Sequence, residues 1–301
     1  MHSRWYNVAV VLLWLTTMGW LVSEKVWPSL KVGDPPDYQR ILAVQRNAPP
    51  VGWTLIWNDR MTLGWAVTST SPLPNELTEV RSHVHFAELP LDDIIPDWLH
   101  GLLQSSGTRG LRVTMDAHSA LIFDPLKRLS QFESTIRFQP RADAVRMRGR
   151  VEGAKLLLTI HYGDSAPSEI DLPAPRNAML NDALSPQGYL IPRPRKGQRW
   201  TMEVYSPLRL PGSPSEVLHA AVEAKVPITW NGGLVDTWLV VYRSDPGSAS
   251  AGAGSPRGKL WVRDDGAVLK QQVTLLRSTL TFIRTTDEEA AKLARQSVDV
   301  R

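Results

Sequence analysis

The stretch Gly258–Leu276, GKLWVRDDGAVLKQQVTLL, carries the pattern that decides the fold. Two runs in which apolar and polar residues alternate are separated by Asp264, Asp265 and Gly266. Alternation with a period of two is typical of a strand with one buried face, and an Asp-Gly pair supplies the positive φ angles of a tight turn. The stretch therefore predicts a β-hairpin. Its adjacent carboxylates are predicted to be ionised turn residues in water and not a catalytic pair.

The same alternation recurs along the chain between Gly, Pro, Asn and Asp residues, and it predicts a mainly β (α+β) protein with few short helices. A second hairpin turn is predicted at Asn231-Gly232. Helices are expected around Ile95–Gln104 and in the tail, where Thr285 or Thr286 can cap the first turn. The clearest strand runs are Arg81–Phe86, Ser134–Phe138, Lys155–His161, Arg199–Tyr205, Leu234–Tyr242 and Thr279–Arg284.

Proline and glycine divide the chain. Residues 1–27 are predicted to be a membrane anchor, 28–51 an extended spacer, 52–172 a first β-rich half, 173–197 a proline-rich connection, and 198–301 a second β-rich half with the C-terminal helix. The low-complexity segment Ser244–Gly258 is predicted to be a mobile hairpin loop. A weak sequence similarity between Leu111–Ala117 and Leu260–Gly266 leaves open whether the two halves are a duplication.

The N-terminal segment is the most specific signal. The run Tyr6–Ser23 has no charged residue and is close to the length that crosses a bilayer, with the apolar stretch Val8–Val22 at its centre. No small-residue cleavage site or lipobox cysteine follows it. We expect an uncleaved, single-pass anchor in the inner membrane with the soluble part in the periplasm, although basic residues are more frequent after the span than before it.

Composition excludes several classes of function. The 301-residue chain has no cysteine, so a disulfide, a thiolate metal site and a cysteine nucleophile are excluded. The net charge of +4 is too small for a dedicated nucleic-acid binder. No nucleophile elbow, P-loop or dinucleotide fingerprint is present in the sequence. We expect neither catalytic residues nor a cofactor.

Two histidines are weak candidates for a metal site. His83 and His85 are separated by one residue, so on a strand both rings would project from the same face, as chelation requires. The other histidines have no ligand spacing. Two polar rings on the solvent face of a strand account for the pattern more simply.

Arginine and tryptophan supply the candidate ligand-binding residues. Arg146, Arg148 and Arg150 would share one face of a strand and could meet anionic headgroups, or they could be a solvated outer face. The tryptophans could line a groove for an apolar ligand, or they could fill the core. The tryptophans proposed for the groove are Trp53, Trp57, Trp65, Trp230, Trp238 and Trp261.

The C-terminal order of VPITWNGGLVDTWLVVYRSD, GKLWVRDDGAVLKQQ and TLTFIRTTDEEAAKLA resembles the β-rich accessory regions of bacterial membrane-anchored transglutaminase-like proteins and of uncharacterised periplasmic proteins. The resemblance implies a curved antiparallel sheet like that of the outer-membrane lipoprotein carriers, with two carrier-like halves as one arrangement. Because the chain has no cysteine, the resemblance implies the accessory module without the enzyme.

Together these features predict a membrane-tethered, non-catalytic binding protein of the cell envelope that holds a lipid or another apolar ligand on a concave sheet. Two alternatives stay open. A scaffold for an envelope protein would present an exposed edge strand or apolar patch, and an unrecognised hydrolase would need paired titratable groups.

Overall fold

The computed structural model describes residues 3–21, 48–90, 112–126, 128–139, 144–163, 165–173, 179–180, 186, 191, 194–205, 215–244, 256–275 and 278–299. The predicted helix at Ile95–Gln104 and the centre of the predicted mobile loop lie outside these residues, as do most of the spacer and of the proline-rich connection. Helix α1 is Ser3–Leu21 and helix α2 is Asp287–Asp299.

Fifteen strands form one sheet in the described part of the chain. Their bounds are β1 Val51–Trp57, β2 Met61–Pro72, β3 Thr78–Pro90, β4 Arg112–Phe123, β5 Leu129–Gln139, β6 Ala144–Glu152, β7 Lys155–Tyr162, β8 Ser168–Pro173, β9 Met179–Leu180, β10 Arg199–Tyr205, β11 Ser215–Trp230, β12 Gly233–Ser244, β13 Pro256–Val262, β14 Val268–Leu275 and β15 Ser278–Arg284. All six predicted strand runs lie inside these elements, and the mainly β fold is confirmed.

The spatial order is β8-β7-β6-β5-β4-β3-β2-β1-β15-β14-β13-β12-β11-β10-β9. Neighbouring strands are antiparallel except for the short parallel pair of β9 and β10. Within each half, successive strands of the chain are neighbours in the sheet, and β1 joins the halves by pairing with β15. The strands of both halves belong to one sheet, whereas the sequence allowed for separate carrier-like sheets.

The main core lies on the inner face of this sheet. Trp53 on β1, Met115 on β4 and Trp200 on β10 belong to the same buried cluster, although β4 and β10 are far apart in the strand order. Side chains of such distant strands can share a core only if the sheet curls on itself. The curvature that the sequence predicted is therefore observed.

Helix α2 packs on β1 and β2. Gly52 permits this approach, because a Cβ atom there would overlap the side chain of Thr285 and press on Ala290. Thr286 Oγ1 accepts from the backbone nitrogen of Glu289, and the Glu289 carboxylate accepts from the backbone nitrogen of Thr286, both at 3.3 Å. This reciprocal capping box confirms the predicted helix start and shows that Thr286, of the two candidates Thr285 and Thr286, is the cap.

The two predicted turns differ in form. Asn231 and Gly232 have φ angles of 49° and 77°, as a two-residue hairpin turn requires, so that prediction is confirmed. Between β13 and β14 the connection instead has five residues, Arg263–Ala267, and within it positive φ occurs at Gly266, at 92°. The hairpin is confirmed, but its two-residue form is wrong. Hydrogen bonds of 2.8 Å from Gly266 N to Arg263 O and from Arg263 N to Ala267 O close the longer turn.

The two turn acids have specific partners. Asp264 accepts from Trp238 Nε1 at 2.7 Å and from Lys225 at 3.1 Å, while Asp265 accepts from Arg263 and from Ala267 N. Hydrogen bonds from Lys225 and Trp238 lower the pKa of Asp264, and the hydrogen bond from Arg263 lowers the pKa of Asp265. Both carboxyls are ionised near neutral pH, as predicted.

The predicted anchor segment is helical. Helix α1 covers most of Val8–Val22, and its side chains from Val10 to Trp20 are exposed. Neither helix in the described part of the chain combines the length and the apolarity needed to cross a membrane.

Gly266→Val is expected to lower the free energy of unfolding by about 1–3 kcal/mol, because a β-branched residue resists positive φ. Asp264→Asn keeps an oxygen that can accept from Trp238, so its urea midpoint should stay near that of the wild type. Urea unfolding of the two variants side by side measures the difference. Equal midpoints would contradict the turn geometry.

Candidate functional site

Three histidines and one aspartate meet on the outer face of β3 and β4. The register places His83 opposite His118, and His85 opposite Asp116. His83 and His85 share a face because they are two residues apart on a strand, as the sequence predicted. We call these four residues, together with Trp65 opposite His85 on β2, the histidine cluster.

Asp116 is the centre of the histidine cluster. Its Oδ1 atom lies 2.8 Å from His85 Nδ1 and 3.2 Å from His83 Nε2. A carboxylate oxygen only accepts, so both of these nitrogens must donate. In the neutral rings this places the proton of His83 on Nε2 and that of His85 on Nδ1. The other nitrogen of His83, Nδ1, is buried and has no hydrogen-bond partner among the described residues.

Aromatic contacts close the cluster. The His83 and His118 rings stack with centroids 3.8 Å apart and planes at 26°. Trp65 stacks on His85 at 5.6 Å and meets the His83 ring edge-on at 4.7 Å. As a result the His83 side chain is 4% exposed, whereas that of His85 is 29% exposed. The expectation of two solvated rings is wrong for His83, because Trp65 and His118 cover it.

Burial lowers the pKa of His83 and outweighs the opposing effect of its hydrogen bond to Asp116. The positive charges of His85 and Arg137 add to the lowering. Burial acts to raise the pKa of Asp116, but hydrogen bonds from His85 and His83 more than compensate, so that pKa is also lowered. At neutral pH the cluster therefore holds a neutral His83 beside an ionised Asp116.

Asp116 orients His85 through Nδ1, as the carboxylate of a Ser-His-Asp triad does, so Nε2 is on the side of the ring away from this contact. Among the described residues, no hydroxyl group is hydrogen-bonded to His85. The same part of the chain contains no group of three or more His, Asp or Glu side chains arranged to hold a metal ion. What the cluster can do chemically is bind and release protons.

The six candidate tryptophans do not form one ligand-binding surface, because three of them meet in the main core and the other three lie elsewhere. Trp53 and Trp57 are core residues, 0% and 6% exposed, and Trp238 packs against the same core. Trp65 belongs to the histidine cluster. Trp230 donates from Nε1 to the carbonyl of Arg284 at 2.8 Å, and Trp261 lies under the Lys270 ammonium at 4.8 Å. The sequence did not single out Trp200, which is 1% exposed in the core.

The three arginines alternate on the outer face of β6 and are exposed. Arg148 pairs with Glu133 at 3.0 Å, and Arg150 lies 3.5 Å from Glu152. Arg146 lies between Thr135 and His161 in the register. Acidic neighbours therefore interleave with this basic stripe.

The opposite, inner face of β5–β8 is apolar, and we call these four strands the wing. Phe132 faces Gly149 across the β5–β6 pair, and a Cβ atom on Gly149 would overlap the Phe132 ring. The ring thus lies directly over the β6 backbone. The buried centre of the wing comprises Phe132, Met147, Leu156, Leu158 and Leu172, and its half-buried rim comprises Leu121, Leu129, Val145, Val151, Ile160 and Ile170, with Ile136 bridging to the main core.

No protein-family model matches the chain, and no curated protein matches it. Among solved structures, it is similar to a β-barrel-like protein of the domain of unknown function DUF1849 from Brucella abortus, with a TM-score of 0.44 and 9% identity over 79% of this chain and 95% of that one. It is also similar to a DUF1089 family protein from Pseudomonas aeruginosa, with a TM-score of 0.30 and 12% identity over 70% and 90%. Neither likeness assigns a function, and the resemblance to transglutaminase-like accessory regions stays a prediction.

Asp116→Ala is expected to lower the free energy of unfolding by about 1–3 kcal/mol, because it leaves the buried Nε2–H of His83 without an acceptor. The matched control is Asp171→Ala, which removes an exposed ion pair with Lys155 and should cost no more than about 1 kcal/mol. Chemical denaturation at pH 7.5 measures both. Equal losses would mean that Asp116 is an ordinary surface acid.

Proposed function

We propose that the protein is a membrane-attached, non-catalytic binding module of the cell envelope, and that it holds an acyl chain or a similar apolar group on the inner face of the wing. The observation that carries this proposal is the apolar cluster of the wing, which is separate from the main core and has a half-buried aliphatic rim.

Helix α1 supports membrane attachment. Its large apolar side chains between Val10 and Trp20 are 43% to 67% exposed, which is unfavourable in water. Thr16 and Thr17 donate their hydroxyls to the carbonyls of Leu12 and Leu13, at 2.8 and 2.7 Å, so these polar groups are satisfied within the helix. Both features suit a helix in contact with lipid. We propose that α1 is the attachment, with the sheet on the extracytoplasmic side.

The wing offers a surface with the chemistry of an acyl chain. Its centre is already screened from solvent, with Leu156 and Leu158 at 0% and 1% exposed. A ligand would therefore lie along the rim, where Val145, Val151 and Ile160 are half-buried. Each methylene that leaves water gains about 0.8 kcal/mol. A chain of ordinary length could thus bind without a polar contact.

The main core is a poor alternative place for such a ligand. Trp53, Trp200 and Phe282 fill it and are at most 1% exposed. The wing is joined to this core through Ile136, which packs against both clusters. Binding on the wing would therefore leave the main core packed.

The outer face of the wing supports a one-sided binding role. Its charges pair across strands, as in the contacts Arg148 to Glu133 and Lys155 to Asp171, at 3.0 and 2.9 Å. Interleaved charges keep a sheet face solvated and oppose edge-to-edge aggregation. An apolar ligand would then be attracted to the inner face alone.

Photo-crosslinking of the full chain in detergent with a diazirine fatty acid tests the proposal. Labelled peptides should come from β5–β8. Ile160→Gln places an amide on the inner rim and should weaken binding about tenfold or more, because the amide loses hydration without gaining a partner. Thr159→Gln introduces the same side chain one residue away, on the outer face, and should leave binding unchanged.

Labelling confined to other strands would contradict the proposed site. Equal affinities of the Ile160→Gln and Thr159→Gln variants would do so as well. Absence of any saturable fatty-acid binding would favour a scaffold for an envelope protein.

A further inference from the structure

We propose that the histidine cluster is a proton-operated latch between β3 and β4, which is closed while His83 is neutral and opens when His83 binds a second proton. The inference goes beyond the proposed binding function and is independent of what the wing holds. Its basis is a buried histidine with one nitrogen that no described residue hydrogen-bonds, beside a carboxylate that two rings share.

The closed state depends on the shared acceptor. Asp116 Oδ1 holds His83 Nε2 and His85 Nδ1 together, and both histidines lie on β3 while Asp116 lies on β4. The contact therefore ties the two strands side chain to side chain, in addition to their backbone pairing. Stacking of His83 on His118 adds a second tie between the same strands.

The open state follows from where the second proton must go. Nε2 of His83 already donates to Asp116, so the vacant nitrogen is Nδ1. This atom is buried, and no acceptor among the described residues lies within hydrogen-bonding distance of it. Protonation would thus create a buried donor that is both charged and unpaired, and such a group is costly unless water reaches it. Water reaches it if the rings separate.

The surrounding charges also disfavour protonation of His83. From β3, His85 and Arg81 share the face of His83, and Arg81 is paired with Glu79 at 2.9 Å. From β4 come Asp116 and His118, and from β5 comes Arg137. Strand β2 contributes the uncharged Trp65 and Val67. A protonated His83 therefore meets one adjacent carboxylate, which it already shares with His85, while Arg137 and His85 oppose its charge.

The direction of the response follows from linkage. The pKa of His83 in the folded protein is lowered from 6.5, first by burial, so the folded state binds fewer protons than the unfolded state as the pH falls. The stabilisation from neutral His83 is complete above about pH 6.5, the ordinary value, and is lost as the pH falls through the lowered pKa. The pKa of Asp116 is itself lowered from 3.8, so Asp116 is ionised between pH 7.5 and 4.5. The latch is thus expected to open as the pH falls below about 6.5.

Hydrogen exchange of the full chain between pH 7.5 and 4.5, corrected for intrinsic rates, tests the latch. Backbone protection at residues 83–85 and 116–118 should fall tenfold or more on acidification, while protection in β12 and β13 stays constant. His83→Gln offers an uncharged amide to Asp116 and should abolish the response. His161→Gln, the same substitution on the outer face of β7, should preserve it.

Nitrogen-15 NMR of the histidine rings provides a readout that does not need a variant. At pH 7.5 the proton of His83 should reside on Nε2 and that of His85 on Nδ1, and His83 should become doubly protonated over the pH range in which protection is lost. A His83 that stays neutral to pH 4.5, or a response that persists in His83→Gln, would overturn the latch.

Discussion

The pairing of β1 with β15 is the interaction on which the rest of the structure depends. Five register pairs, from Trp53 with Arg284 to Trp57 with Leu280, join strands from the two ends of the sheet-forming chain. Leu55, Leu280 and Phe282 on these strands are 0% exposed. Asn58 extends the contact, because its backbone nitrogen donates to Thr279 O and its Oδ1 accepts from Thr279 N, both at 2.8 Å. These partners are 221 positions apart in sequence. The entropic cost of closing a loop grows only slowly with loop length. Burial of the apolar side chains where β1 meets β15 can therefore offset that cost.

Joining the halves in one register gives the sheet two faces of different chemistry. Side chains alternate with a period of two, so a one-residue slip would exchange the faces. In the observed register the inner face carries the main core and the wing cluster, while the outer face carries α2, the histidine cluster and the paired charges of the wing. The proposed ligand surface and the proposed latch thus lie on opposite faces of the same antiparallel ladder. Strand β4 contributes to both, with Leu121 on the wing rim and Asp116 in the cluster.

Local patterns predicted the elements, and long-range pairing decided the site. Alternation located the strands, the Asn231-Gly232 pair located its turn, and the pair Thr285 and Thr286 located the start of the C-terminal helix. Each of these signals depends on neighbours in sequence. The shared face of His83 and His85 was predictable for the same reason. Their partner Asp116 was not, because it follows 31 residues after His85 and meets it only through the register of β3 and β4. In the two similar segments, Leu111–Ala117 and Leu260–Gly266, the aligned aspartates differ in context, because Asp116 lies within a strand and Asp265 in a turn.

Native-state hydrogen exchange in low denaturant tests the central claim, the continuity of the sheet through β1 and β15, most directly. Residues 53–57 of β1 lie between β15 and β2, so the amides of Leu55 and Phe282 should be among the slowest and should exchange only through global unfolding. Their exchange should depend on denaturant as steeply as the global transition does. Fast exchange at these two amides, while β3–β5 and β11–β13 stay protected, would mean that the halves are separate sheets and would contradict the account.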